Sequence, residues 1–325
     1  MRNKEMSIKE AFDSYMEEVE MSYSENTVKA YRNGIRLFLE SIERLGITQE
    51  SPASSLNQSC FDAFLKYAKN YSPRTESLYL TAVKGFFSFL SENGVIEYNP
   101  AKLKKFLKNK ARQPDKRTPT FSVETIEKVI EYAEQMPNME CETTREELIL
   151  KRNAAFIITL ADTGMRVGEI CNLYVRDIDQ YQRKATVTGA SGNPETVRLS
   201  ERTITYINLY LNRRTEIMGR GGRVYAALPV FAAHDKSTGH KLTAITPKTG
   251  REIVKECVAA AVGPGMAGSV TPSSFRHYFI SKVLEKTGDM ELTREITRTA
   301  SPVIIRSYSK YDSKAADEKY SKLFD

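Results

Sequence analysis

A chain of 325 residues with 48 Lys and Arg against 41 Asp and Glu carries a formal charge of +7, which favours a polyanionic partner, most often nucleic acid. The length allows two or three domains with their own cores. The four cysteines (Cys60, Cys141, Cys171 and Cys257) are widely separated, a pattern that speaks against a disulfide frame or a zinc site. The segment from Met1 to Lys9 is polar rather than a signal peptide, and no apolar run reaches the length of a membrane span. A soluble cytoplasmic protein without a membrane role is the expectation.

The first hundred residues read as four helices. Ser7 caps the first, with Ile8, Phe12, Tyr15 and Val19 on one side. Ser24 and Thr27 start the second, whose stripe is Val28, Tyr31, Ile35, Phe38 and Ile42; Gly46 closes it. The third covers about Gln58 to Lys69. Ser72-Pro73 opens the fourth, in which Leu78, Val83, Phe86, Phe87 and Leu90 are expected to bury, and Gly94 ends it. The polar faces carry Lys29, Arg32, Arg36, Arg74 and Lys84, either a DNA-facing surface or a merely solvated one. Asn99-Pro100 stops the helical pattern. From Lys102 to Arg117 the chain is strongly basic, with Lys104, Lys105 and Lys108 as candidate phosphate contacts; a solvated linker is the alternative. The expected domains are residues 1–107, a basic linker over 108–120, and residues 121–325.

The second domain opens with Ser122 as a weak cap signal. A strong helix from about Arg145 ends at Thr163-Gly164, where glycine suits a left-handed cap. In the next stretch, Thr163-Gly164-Met165-Arg166-Val167-Gly168-Glu169-Ile170, Arg166 begins a short helix and Glu169, one turn on, can hold it in position; an ordinary Arg–Glu pair in a helix–helix turn is the bland reading. Two alternating runs, Ala185–Thr188 and Thr196–Leu199, flank a turn and predict a hairpin. Helices are expected over Ile204–Leu211, Lys248–Val262, Leu292–Thr297 and Pro302–Tyr308. The glycine-rich run from Gly219 to Gly222 lacks the Gly-Lys-Ser/Thr end of a phosphate loop. Thr271-Pro272-Ser273-Ser274-Phe275-Arg276-His277 reads as a helix start, with Ser273 or Ser274 as cap and Arg276 in the first turn, where free N–H groups favour an anion. A surface arginine on a capped helix is the alternative.

Taken together, the stretch Thr163–Ile170 resembles the first arginine motif of the tyrosine recombinases, the phage integrase family, and Thr271-Pro272-x-x-Phe275-Arg276-His277 resembles its second arginine box. Three tyrosines compete for the family's nucleophile: Tyr308, 32 residues past Arg276, is favoured by that spacing, Tyr311 lies three residues on and on nearly the same helix face, and Tyr320 is too far along the tail; Pro302–Ile305 is similar to the family's approach to the tyrosine. The resemblance covers nearly the whole chain. It implies a mainly α fold, with an N-terminal helical DNA-binding bundle and a mostly helical catalytic domain holding a small antiparallel sheet. It also implies a site-specific recombinase that cuts and rejoins double-stranded DNA through a 3′-phosphotyrosyl intermediate, with no cofactor and no metal, assembled as a dimer or tetramer on DNA. Arg166 and Arg276 would stabilise charge on the phosphate, Tyr308 would attack it, and Glu169 would support Arg166.

Three positions depart from the family. Ser273 stands where a histidine precedes the second arginine by three residues. Ala190 follows Gly189 where the hairpin lysine is expected. Thr299 lies nine residues before Tyr308, at the place of a histidine or tryptophan. Losing a positioned acid or base typically costs about 10²–10⁴-fold in rate. Ser273 and Thr299 offer only hydrogen bonds, Lys184 on the same hairpin is a candidate substitute, and by the resemblance His277 supports the site from behind. A weakened relative that only binds DNA is therefore the alternative function. The tail trio Tyr320, Leu323 and Phe324 suits packing, in trans or on its own domain.

Overall fold

The computed structural model describes residues 6–97, 111–112, 121–189, 192–218, 224–234, 242–306 and 308. Most of the basic segment, Lys104, Lys105 and Lys108 among it, lies outside these residues, as do Ala190, the Gly219–Gly222 run, Tyr311 and the tail trio. The chain divides into two compact units, Met1–Arg117 and Thr118–Asp325.

The first unit is built on four helices: α1 (Ile8–Ser22), α2 (Glu25–Glu43), α3 (Gln58–Ala68) and α4 (Pro73–Glu92). Their starts are set locally. Ser7 and Glu10 form a reciprocal capping box, Asn57 accepts from the N–H of Ser59, and Ser72 accepts from that of Thr75 ahead of Pro73. The core is aromatic: Phe38 meets Phe64 and Phe87 edge-on, each at 5.7 Å, and Phe61 lies 4.5 Å from Phe87. Leu78 is a correction to the expected core, since it is 41 % exposed while Leu80 is buried. Two residues along a helix turn a side chain by about 200°, so the pair cannot share a face. Arg112, from the basic stretch, is committed within this unit. Its Nε donates to Glu76 Oε2 (2.6 Å) and its backbone N–H to Oε1 (3.0 Å), and Glu76 is fully buried.

The second unit packs around α6 (Thr144–Thr163), whose residues Ala154 to Leu160 are all buried. It is preceded by α5 (Val123–Gln135), capped by Ser122, and followed by the short α7 (Val167–Cys171). A three-stranded antiparallel sheet then forms in the order β1 (Ile178–Asp179), β2 (Lys184–Thr188), β3 (Pro194–Arg198). The hairpin is where its alternation placed it; the two-residue β1 is too short to show a pattern. Ala185, Val187 and Val197 point to the core, and Val187 pairs with Glu195. The remaining helices are α8 (Glu201–Met218), longer than its apolar centre suggested, α9 (Pro247–Val262), α10 (Pro272–Thr287), α11 (Met290–Thr297) and α12 (Pro302–Arg306).

Two glycines set the distances on which the site depends. Gly164 ends α6 at φ +58°, and a Cβ there would overlap the Phe279 ring of α10. Gly250 in α9 lets Val167 and Phe156 come close, since an added Cβ would lie 2.9 Å from each. Chain reversal and close packing thus bring α6, α7, α9 and α10 together around the arginine motif.

Candidate active site

Arg166 is the N-cap residue of α7. Glu169, three residues on, turns back to it: Oε2 accepts from the Arg166 backbone N–H (2.8 Å) and Oε1 from Nη1 (2.7 Å). Glu169 is buried, whereas the Arg166 side chain is 41 % exposed, so the carboxylate sits beneath the arginine and leaves it an open side.

The true cap of α10 is Thr271, not Ser273 or Ser274. Thr271 accepts from the N–H of Ser274, and Ser274 Oγ accepts from that of Thr271. Pro272 is the first helical residue, so Arg276 is the fifth and lies beyond the first turn. Arg276 is positioned by carbonyls rather than by carboxylates. Nη1 donates to Gly164 O (2.6 Å), and Nη2 to Thr297 O (2.8 Å), Arg298 O (3.1 Å) and Thr299 Oγ1 (3.4 Å). Burial, then the charges of Arg166 and Arg298, depress its pKa to about 10, which leaves it cationic at neutral pH.

Tyr308 follows α12 and is half-buried, with its N–H bonded to Ile305 O (2.9 Å). It packs on Ile280, Leu284 and Ile305, and its phenol shares a hydrogen bond with His277 Nδ1. Burial pushes the phenol up to about 12 against the opposing charge of Arg276. Burial and Arg276 together lower the pKa of His277, so the ring is neutral at neutral pH; it also stacks on Phe121 at 6.3 Å. A neutral imidazole with a bare Nδ1 is an acceptor for the phenol proton.

Among the other sequence candidates, Thr299 is buried and contacts Arg276 and Thr297 Oγ1 (2.9 Å). Ser273 is exposed on the first turn of α10, three residues before Arg276 and so on a neighbouring part of its face. Lys184 is not brought to the cluster. It is exposed at the end of β2 farthest from the turn, donates to Gln182 (3.3 Å), and by strand alternation points to the face opposite Glu195.

One arginine in the cluster went unread in the sequence. Arg298 donates through Nη2 to Glu169 Oε2 and through Nη1 to Glu195 Oε2, both at 2.9 Å, and its side chain is 8 % exposed. Burial alone would raise the Glu169 carboxyl; hydrogen bonds and charge from Arg298 and Arg166 overcome that and hold it below the usual carboxylate range. The available signal was a basic residue immediately before Thr299, at the end of a helical pattern. Among the described residues there is no cluster of His, Cys, Asp and Glu able to hold a metal ion, and no helix is long and apolar enough to cross a membrane.

A helical unit and a mostly helical unit that gathers arginines beside a tyrosine is the arrangement the sequence resemblance implied. The family model for the phage integrase family matches residues 123–313, and that for the phage integrase N-terminal SAM-like domain matches residues 10–94. The chain belongs to the phage integrase family, the tyrosine recombinases, which cleave and rejoin DNA. It is 28 % identical over 323 residues to the tyrosine recombinase XerA of Pyrococcus furiosus, covering 98 % of this chain and 95 % of the relative. Its fold is similar to that of the XerH site-specific recombinase bound to difH substrate, with a TM-score of 0.71, 17 % identity, and coverage of 99 % and 98 % of the two chains. It is also similar to a lambda integrase tetramer bound to a Holliday junction, with a TM-score of 0.61, 14 % identity, and coverage of 95 % and 78 %.

Proposed function

We propose that this protein is a catalytically competent site-specific recombinase in which Tyr308 is the nucleophile and Arg166 and Arg276 bind the scissile phosphate. The observation that carries the reading is the contact of the Tyr308 phenol with neutral His277, one residue from a partly buried Arg276 that backbone carbonyls hold in place. In the step envisaged, Tyr308 Oη forms a bond to phosphorus as the bond to the 5′ oxygen breaks. The phenol proton passes to His277 Nδ1, and the departing 5′ oxygen takes a proton from water. Guanidiniums stabilise the charge that builds on the non-bridging oxygens. The phosphotyrosine retains the bond energy of the strand, so a 5′ hydroxyl can reverse the step on a new partner without ATP.

In this reading, residues 1–107 and 121–325 grip duplex DNA from separate units joined by the basic segment 108–120, with Lys104, Lys105 and Lys108 along the backbone. The working form is a dimer or tetramer assembled on DNA, and the reaction takes place in the cytoplasm. Ser273, Ala190 and Thr299 supply none of the family's acids and bases, which makes cleavage slow.

The test is covalent trapping on a nicked suicide duplex built from the DNA flanking the gene. Tyr308→Phe should abolish the protein–DNA adduct and leave binding nearly intact, while Tyr311→Phe should keep the adduct. Survival of the adduct in Tyr308→Phe with loss in Tyr311→Phe would move the nucleophile by one helical turn. A wild-type protein that binds the site but forms no adduct would establish the DNA-binding alternative instead.

A further inference from the structure

We propose that Arg298 is a positioning residue of the cleavage site, tying the β2–β3 hairpin and the first arginine motif to the segment that delivers Tyr308; this rests on the strand-cleavage reading above. Arg298 ends α11 in the left-handed region, at φ +53°. That conformation favours glycine, which ends many helices without strain. An arginine held there, with its guanidinium pinned between two carboxylates, points from an observed backbone outlier to a function.

Each contact of Arg298 reaches a different part of the site. Nη2 meets Glu169, the carboxylate that also holds Arg166. Nη1 meets Glu195 on β3, beside the hairpin turn in which the sequence has Ala190 rather than a lysine. Its own carbonyl, with that of Thr297, accepts from Arg276 Nη2. Tyr308 lies ten residues further along the same chain. Among the described residues, Arg298 alone touches the first arginine motif, the hairpin and the second arginine at once. The Arg298 side chain is 8 % exposed and held between two carboxylates, so it acts through its neighbours rather than on the phosphate. Removing it would unfasten the hairpin and leave Glu169 with Arg166 alone.

A plain helix-end salt bridge makes a different prediction, because glycine at position 298 would relieve the backbone and leave cleavage unchanged. The experiment measures two quantities on the nicked suicide duplex: the single-turnover rate of adduct formation, and affinity for the same duplex in a Tyr308→Phe background. Arg298→Gly should slow adduct formation by about 10²-fold, the scale of a misplaced reacting group, with affinity little changed. Arg298→Lys should recover part of the rate. Glu195→Gln should slow it roughly tenfold, as for loss of one charged hydrogen bond, and should add nothing in the Arg298→Gly background. An Arg298→Gly protein that cleaves at the wild-type rate, loses affinity as steeply as rate, or shows additive loss with Glu195→Gln overturns the proposal. If Arg298→Gly does not fold, Glu195→Gln decides: slowed cleavage at kept affinity supports the tie, and an unchanged rate overturns it. A wild type that forms no adduct removes the strand-cleavage reading and this inference with it, whereas a wild-type adduct with an undiminished Arg298→Gly rate removes this inference alone.

Discussion

The chemistry available to Tyr308 depends on the protonation of one neighbour. A phenol raised to about 12 is almost wholly protonated at neutral pH, so in the proposed cleavage an attack on phosphorus would need an acceptor for its proton. In that proposed role His277 would serve only while unprotonated, and its pKa is lowered from the ordinary value of about 6.5. Adduct formation should therefore rise with pH through a midpoint below about 6.5 and rise again toward alkaline pH as phenolate forms. In His277→Gln the acid limb should vanish and the alkaline rise remain; a pH–rate profile under single-turnover conditions reads both. The same sign applies to stability. A histidine whose folded pKa is depressed resists a proton that the unfolded chain accepts, so stability falls as pH drops below about 6.5 and continues to fall until the lower folded pKa is passed. Resemblance placed His277 behind the site; the structure puts its Nδ1 against the phenol itself.

At the scale of elements, the site is the meeting of helix ends. The end of α6, the start of α7, the first turns of α10 and the end of α11 supply Gly164, Arg166, Arg276 and Arg298. Gly164 is the most exposed to perturbation of these joints. It reverses the chain at φ +58°, touches the Phe279 ring, and offers its carbonyl to Arg276 Nη1 at 2.6 Å. Gly164→Ala should destabilise the protein by about 1–3 kcal/mol, from left-handed strain and overpacking together, measured by denaturant unfolding. It should also slow adduct formation, because the displaced carbonyl is one of the groups that hold Arg276. An alanine variant of wild-type stability and rate would mean that this joint tolerates more slack than the close packing implies.

At the scale of the whole molecule, the net positive charge and the basic run from Lys102 to Arg117 set the expected behaviour with salt. Duplex affinity should fall steeply as salt rises, because each neutralised phosphate releases counterions. Charge reversal at Lys104, Lys105 and Lys108 should weaken binding to all sequences alike and flatten the log–log salt slope by about 0.9 for each phosphate no longer neutralised. Fluorescence titrations across a salt series on specific and random duplexes measure this; a changed sequence preference with an unchanged slope would remove the three lysines from the backbone-binding role. Arg112 is not counted with them, since buried Glu76 already holds it.

What the amino-acid sequence determined by itself was whatever depends on neighbours along the chain. Helix starts at Ser7, Ser72 and Ser122, the left-handed stop at Gly164 and the pairing of Arg166 with Glu169 all span three or four residues, so local chemistry settles them. The hairpin was legible because alternation has a short period. Tertiary structure alone decided which distant segments meet. Arg298 meets Glu195 across 103 residues and Glu169 across 129, and Arg276 finds the Gly164 carbonyl across 112. Leu78 faced outward because Leu80 had taken the core side, and Lys184 was turned from the cluster by the alternation of β2. Sequence spacing records which residues share a turn or a strand face, but not which buried charge will meet which, because that choice follows from packing and from the desolvation of charges that need partners.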